Sequence, residues 1–260
     1  MNMQTQVNKN PRILLAEDDK ALGDLVKRNL ESIGYQVEHC MDGEDAWEEF
    51  QRRRYDLLLL DIVMPKKNGF QLAKEVRSKN TLVPIFFLSA EKTMDADRLD
   101  GFRLGADGYI VKPFSLLELQ RRVKAFLKWT RPPKTELLIG HIVGEHTFNY
   151  RKMKVYPKNS QTDYVATFSP TEAKLLRYFF NRPNVIIKKD ELLMKLWGRD
   201  DVTSSRSMDV FIGKIRKQIK LEPRLTLETI FNVGMRLNVP KDLLPLEKIS
   251  IPITPSQTKQ

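Results

Sequence analysis

Asp56-Leu57-Leu58-Leu59-Leu60-Asp61 is an unbroken run of four leucines between two aspartates. A strand that is apolar at every position, rather than at every second one, must be covered on both faces. That is the mark of a parallel sheet with helices on either side. Working outward from this run, the same alternation of short apolar segment and amphipathic stretch recurs. On the N-terminal side Arg12–Ala16 reads as a strand. A helical pattern with Leu22, Leu25, Val26 and Leu30 follows, and Gly34 ends it as a left-handed cap. Gln36–Cys40 is the next strand and Asp42–Arg53 the next helix, with Asp42 placed to cap it. On the C-terminal side come a helix over Gly69–Lys79, the strand Pro84–Leu88, a helix over Asp95–Leu104, the strand Gly108–Val111 and the helix Leu116–Lys128. Five β–α repeats predict an α/β fold over 11–128, a doubly wound five-stranded parallel sheet.

Trp129–Glu136 breaks that rhythm. Its adjacent prolines lack amide donors and favour extended geometry, so 129–136 is expected to be a linker. Beyond it the pattern changes. Leu137–Phe168 is short-period and β-like, three helices are expected over Thr171–Asn181, Lys188–Trp197 and Ser204–Lys220, and a β-hairpin over Leu225–Val239 turns near Asn232–Gly234. This predicts a second, α+β domain over 137–239. The proline-containing, polar stretch 240–260 is expected to be a disordered tail.

The charge is divided unevenly. Residues 1–130 hold 21 Lys+Arg against 20 Asp+Glu, and residues 131–260 hold 23 against 13, so nearly all of the net +11 lies in the second half. Such asymmetry points to a polyanion-binding module there. Cys40 is the only cysteine, which excludes an internal disulfide, and His39, His141 and His146 do not combine with it at zinc-ligand spacing. The most apolar runs, Leu57–Leu60 and Leu82–Ala90, are too short to span a bilayer, and Met1–Pro11 lacks the apolar core of a signal peptide. A cytoplasmic protein with no membrane partner is expected.

In a doubly wound sheet, ligands bind in the crevice beyond the carboxyl ends of the strands. There this sequence places Glu17, Asp18 and Asp19 after the first strand, Asp61 after the third, Ser89 and Ala90 after the fourth, and Lys112-Pro113 after the fifth. Taken singly, the acidic run could cap a helix, Asp61 a turn, and Lys112 could be a solvated lysine. Together and in order, they describe converging acids that favour a divalent cation with oxygen ligands. Mg²⁺ suits few carboxylates plus water and phosphate. The carboxylate of Asp61 is then a candidate nucleophile for a phosphoryl group, with Lys112 and Ser89 receiving its oxygens.

Residues 11–128 resemble the receiver domain of response regulators, a CheY-like fold. The resemblance rests on Glu17-Asp18, Asp61 with Met64-Pro65, Gly69, Leu88-Ser89-Ala90, Gly105-Ala106-Asp107, Tyr109 and Lys112-Pro113-Phe114. It implies Asp61 as phosphoacceptor, Asp18 and Asp61 as direct Mg²⁺ ligands, Glu17 acting through water, and the backbone carbonyl of Val63 as a further ligand. It also implies Ser89 and Lys112 as phosphoryl contacts, a cis Lys112-Pro113 bond, and Tyr109 as the switch that moves when Ser89 is drawn to the phosphate.

In the second half, Met208, Phe211, Ile212, Ile215 and Ile219 form an apolar stripe at helical spacing, while Arg206, Ser207, Val210, Gly213, Lys214 and Lys217 fall largely outside it. Such a helix can lie in a major groove. This half resembles the winged helix-turn-helix output domain of the OmpR/PhoB family, through Phe168-Ser169-Pro170-Thr171-Glu172, Leu192-Leu193 with Trp197-Gly198, Arg206-Ser207-Met208-Asp209-Val210 with Lys214-Ile215-Arg216-Lys217, and Gly234. The resemblance makes Ser204–Lys220 the recognition helix and Leu225–Val239 the wing. Arg206, Ser207, Val210, Lys214, Arg216, Lys217, Thr229 and Arg236 are the candidate DNA contacts. Phe231, where the family often has arginine, and Met235 depart from the pattern in the wing.

The whole then resembles a phosphorylation-dependent transcriptional regulator of a two-component system. The implied partners are a sensor histidine kinase as phosphodonor, double-stranded DNA, and RNA polymerase as a further partner. The phosphorylated form is expected to be a homodimer, through the helix over Asp95–Leu104, the strand Gly108–Val111 and the helix Leu116–Lys128, with Asp97, Arg98, Asp107 and Arg122 on the charged face. A rival class is an aspartate phosphatase, but that chemistry uses a second acid two residues after the nucleophile, where this chain has Val63. A third is a regulator whose basic half binds a protein. No enzymatic turnover is expected.

Overall fold

The computed structural model describes residues 10–80, 82–90, 101, 104, 106–130, 136–160, 162–197 and 202–252. The chain divides into two compact units, Met1–Leu127 and Lys128–Gln260.

In the first unit, β1 (Arg12–Ala16), β2 (Gln36–Cys40), β3 (Leu57–Asp61), β4 (Ile85–Ala90) and β5 (Gly108–Lys112) form one parallel sheet in the order β2-β1-β3-β4-β5. Every residue of β3 is buried, as its leucine run requires. Leu57 and Leu59 join Ile13, Leu15, Phe86 and Ile110 in a core that also takes in Val123 and Phe126 of a helix. The helices are α1 (Lys20–Glu31), α2 (Gly43–Arg52), α3 (Gly69–Lys79) and α4 (Leu116–Thr130). Their starts carry the expected chemistry. Asp19 accepts from Ala21 N and Leu22 N, and Asp42 from Glu44 N and Asp45 N, each satisfying amides that the helix itself leaves unpaired. Asn68 and Gln71 form a reciprocal capping box on α3. Gly34, after α1, has a φ of 94°, the left-handed geometry expected of it. Because strand order reverses between β1 and β3, their carboxyl ends open the crevice of the sheet. The helix expected over Asp95–Leu104, with Asp97 and Arg98, lies mostly outside the described residues.

In the second unit, β6 (Glu136–Val143), β7 (His146–Asn149), β8 (Lys154–Pro157) and β9 (Ala166–Thr167) form antiparallel pairs. Three helices follow: α5 (Pro170–Phe180), α6 (Lys189–Trp197) and α7 (Val202–Ile219). Ser169 and Glu172 make a capping box at the start of α5, with Pro170 in its first turn. β10 (Ile186–Lys188), β11 (Thr226–Ile230) and β12 (Gly234–Asn238) form a small sheet in the order β10-β12-β11. Its hairpin turns through Asn232, at a φ of 56°.

Two expectations are corrected. Of the stretch expected as a disordered tail, the described residues fold back, with 253–260 outside them: a 3₁₀ turn over Lys241–Leu243 leads into β13 (Glu247–Pro252), which pairs antiparallel with β6 from Glu247↔Ile142 to Pro252↔Glu136. The prolines are compatible with this. Pro245 precedes the strand and Pro252 ends it, on a sheet edge that tolerates a missing amide. Ile249-Ser250-Ile251 carried the period-2 signal. The expected linker is also shorter, because α4 runs through Thr130 and β6 starts at Glu136. A proline disfavours helix only in the residue before it and those after, so Trp129 and Thr130 are free to remain helical.

Candidate metal centre and nucleic-acid interface

The carboxyl ends of β1 and β3 bring Glu17, Asp18 and Asp61 together, with ligand oxygens all within 4.8 Å of one another. Glu17 is 1% exposed and Asp61 7%. Lys112, at the end of β5, reaches across. Its Nζ donates to Asp61 Oδ2 at 2.6 Å and to Glu17 Oε1 at 2.8 Å. Burial raises the pKa of Glu17 to about 7, against the pull of Lys112 and with a contribution from the charge of Asp61. Burial works against the Lys112 ammonium, yet hydrogen bonds and charge from Asp61 and Glu17 raise its pKa overall. Three carboxylates around one lysine leave excess negative charge among hard oxygen donors, a set that fits a divalent cation such as Mg²⁺.

The surroundings hold Asp61 in place. Val63 N donates to Asp61 Oδ1 at 3.2 Å, and Val63 itself is 72% exposed at the rim. Gly69 N donates to Ile62 O at 3.0 Å, and a Cβ at position 69 would stand 2.2 Å from the carbonyl oxygen of Asp61, so only glycine admits this approach. Asp61 pairs in register with Leu88, which places Ser89 one residue further toward the open end. The Ser89 hydroxyl is buried with no hydrogen-bond partner among the described residues. A buried hydroxyl left unmatched is uncommon in a folded protein and is a free donor at the mouth of the cluster. Lys112-Pro113 is cis. Tyr109 is 2% exposed, its ring 5.3 Å from that of Phe87 and its hydroxyl directed at the Cα of Gly101.

Sequence reading missed one neighbour of this cluster. His39 on β2 makes a 2.9 Å hydrogen bond through Nε2 to the carbonyl oxygen of Glu17. A lone histidine in a strand carries no signal of such a role. The expected charged face is also corrected. Asp107 is fully buried, accepting from Ile85 N at 3.1 Å, and Arg122 is 4% exposed, donating to Tyr109 O and pairing with Glu118. Both residues brace the first unit from within.

In the second unit, Met208, Phe211, Ile212, Ile215 and Ile219 are buried as expected, and Lys217 and Gly213 are exposed on the outer face of α7. Val210 is half-buried. Several expected DNA contacts have partners within the domain. Arg216 donates through Nε to Leu227 O at 3.0 Å and through Nη2 to Thr229 Oγ1 at 2.6 Å, tying α7 to the hairpin. Arg236 pairs with Glu228 at 2.9 Å, and Lys214 Nζ lies 3.6 Å from Glu172. Arg206 and Ser207 belong to α7, with side chains outside the described residues. Phe231, at the tip of the hairpin, is 85% exposed.

Residues 13–124 match the family model of the response regulator receiver domain, and residues 163–237 that of the transcriptional regulatory protein, C terminal. The chain is similar to the transcriptional regulatory protein RprY of Bacteroides fragilis, at 39% identity over 88% of this chain and 95% of that one. It is likewise similar to the transcriptional regulatory protein CiaR of Streptococcus pneumoniae, at 37% identity over 87% and 97%. Among solved structures, a mutant of RitR shares the fold with a TM-score of 0.64, covering 89% of this chain and 100% of that one at 18% identity.

Proposed function

The chain belongs to the two-component response regulators that join a receiver domain to a DNA-binding domain of transcriptional regulators, and from that premise we propose that Asp61 is its phosphoacceptor. The observation that carries this reading is Lys112 Nζ seated between the buried carboxylates of Asp61 and Glu17 at 2.6 and 2.8 Å. A carboxylate oxygen of Asp61 attacks phosphorus, and the bond from phosphorus to the donor nitrogen of a kinase phosphohistidine breaks. The imidazole leaves with the electron pair, and Asp61 becomes an acyl phosphate. Mg²⁺, held by Asp18, Asp61 and the Val63 carbonyl directly and by Glu17 through water, would neutralise the transferring oxygens. Lys112 supplies a cation to the phosphoryl group, and the unmatched hydroxyl of Ser89 supplies a donor. As Ser89 turns toward the phosphate, Tyr109 repacks in the space it leaves, which changes the adjoining surface. Val63 stands where a phosphatase would hold its second acid, so the pocket stores the phosphoryl group rather than turning it over.

The second unit reads duplex DNA through α7 and the hairpin, with Lys217 facing the backbone and Arg206, Ser207, Val210 and Lys214 along the same helix; Arg216, Thr229 and Arg236 orient the hairpin that accompanies it. The same reading makes the phosphorylated form a cytoplasmic homodimer, with RNA polymerase as a further partner. The direct test is mass spectrometry of the chain treated with a small-molecule phosphodonor and Mg²⁺. One phosphoryl group is expected, and none in Asp61→Asn; labelling retained in that variant would refute the assignment.

A further inference from the structure

We propose that His39 is a positioning residue for the acidic pocket, fixing the peptide plane between Glu17 and Asp18 and so setting where two of the three carboxylates stand. The proposal rests on the reading of that pocket as a Mg²⁺ and phosphoryl site. A carbonyl oxygen can only accept, so the 2.9 Å contact between His39 Nε2 and Glu17 O requires the proton on Nε2. The carbonyl of Glu17 and the amide of Asp18 form one planar unit. Holding its oxygen therefore fixes the torsions on both sides, after Cα of Glu17 and before Cα of Asp18. The amide of Glu17 is held as well, donating to Cys40 O at 3.1 Å. Adjacent residues of β2 thus grip Glu17 by both of its backbone groups, one step past the end of β1.

The imidazole has a built seat. Its side chain is 7% exposed, with Nδ1 3.7 Å from Asp24 Oδ1 on α1. Its Cε1–Nε2 side lies against the bare Cα of Gly23: a Cβ there would stand 2.1 Å from both atoms. Glycine in a helix interior is less favourable than alanine. The helix carries that cost where a methyl group would run into the ring. Pure packing does not require a histidine here, because an aliphatic side chain would fill the space without leaving a ring nitrogen to satisfy. The hydrogen bond to Glu17 is what the imidazole adds.

The experiment titrates Mg²⁺ alone into the full chain by calorimetry, for the parent, His39→Leu, His39→Gln and Gly23→Ala. Unfolding midpoints are recorded without metal. His39→Leu should lower Mg²⁺ affinity about tenfold, in the range of other groups that orient metal ligands. His39→Gln, which keeps an N–H donor, should recover most of the loss. Gly23→Ala should lose affinity like His39→Leu, because the added methyl displaces the ring, and it is the recovery in His39→Gln that general destabilisation does not produce. At saturating Mg²⁺, His39→Leu should still take one phosphoryl group. Affinity within twofold of the parent in both His39→Leu and Gly23→Ala overturns the proposal, as does a loss in His39→Gln equal to that in His39→Leu. If the parent itself binds no Mg²⁺ and takes no phosphoryl group, the pocket reading fails and this inference falls with it.

Discussion

In the first unit Glu17, Asp18 and Asp61 bring their ligand atoms within 4.8 Å of one another around one lysine, whereas in the second Arg216, Arg236 and Lys214 each lie against an oxygen of their own domain. Like charges gathered in a fold need something to offset them, and the ammonium of Lys112 does so for Glu17 and Asp61. The Arg236–Glu228 pair is open to solvent, which screens it. A DNA phosphate can compete for it. Arg216 differs, because both its contacts join α7 to β11 and help set the angle at which helix and hairpin meet. A pocket built from strand ends gathers its chemistry by topology, while these cations of the second unit each hold an oxygen partner within their own domain.

The sharpest way to break this comparison is to cut the second unit without touching the first. Deleting 240–260 removes β13 from the edge of β6, together with buried Leu246. We expect a loss of about 3–4 kcal/mol in the stability of the second unit, from lost apolar burial and ladder hydrogen bonds. Peptide-level hydrogen exchange should show it over β6 and β7, with β1 and β3 unchanged. Unchanged exchange over β6 and β7 would overturn this expectation.

Acid provides the next contrast. Burial, with the charges of Lys248 and Arg177, lowers the pKa of His141 from 6.5 to about 4. The folded second unit therefore keeps this imidazole neutral, bonded through Nδ1 to the Tyr150 hydroxyl at 2.7 Å, while the unfolded chain takes up a proton at about pH 6.5. The unfolded state binds more protons between those values, so stability is full above pH 6.5 and falls as pH drops toward 4. The fall should reach up to about 3 kcal/mol, at 1.36 kcal/mol per pH unit. Denaturant titrations at several pH values should show it, and His141→Phe should flatten the profile over that window.

The smallest effects separate bracing from binding on α7. Arg216→Ala should cost about 1–2 kcal/mol of stability, the order of hydrogen bonds made by a charged group. Lys217→Ala should leave stability within about 0.5 kcal/mol, as surface substitutions do. In DNA-binding titrations it should lower the slope of log affinity against log salt by about 1. Equal salt slopes for the two variants would erase the distinction between them.

Much of this architecture was readable from residue order. The leucine run of β3 demanded a sheet covered on both faces, and the acids and Lys112 at successive strand ends had to meet once the strands lay parallel. The apolar stripe of α7 was equally explicit, because helical period alone decides which side chains share a face. The prolines of the C-terminal strand read locally as breakers, while a partner more than a hundred residues earlier in the chain decides whether such a segment pairs. Asp107 and Arg122 were misplaced on the surface for the same reason: a charged residue reads as exposed unless its distant partner is known.

Sequence by itself determined the two folds, the acidic pocket and the basic second half, since these depend on periodicity and on which residues follow which strands. Only the tertiary structure decided that His39 grips the backbone of Glu17, that Arg216 is tied to Thr229, and that β13 closes the edge of β6. Those contacts join residues 22, 13 and about 110 positions apart. Hydrogen bonds depend on ångström-scale placement, and no spacing along the chain encodes that.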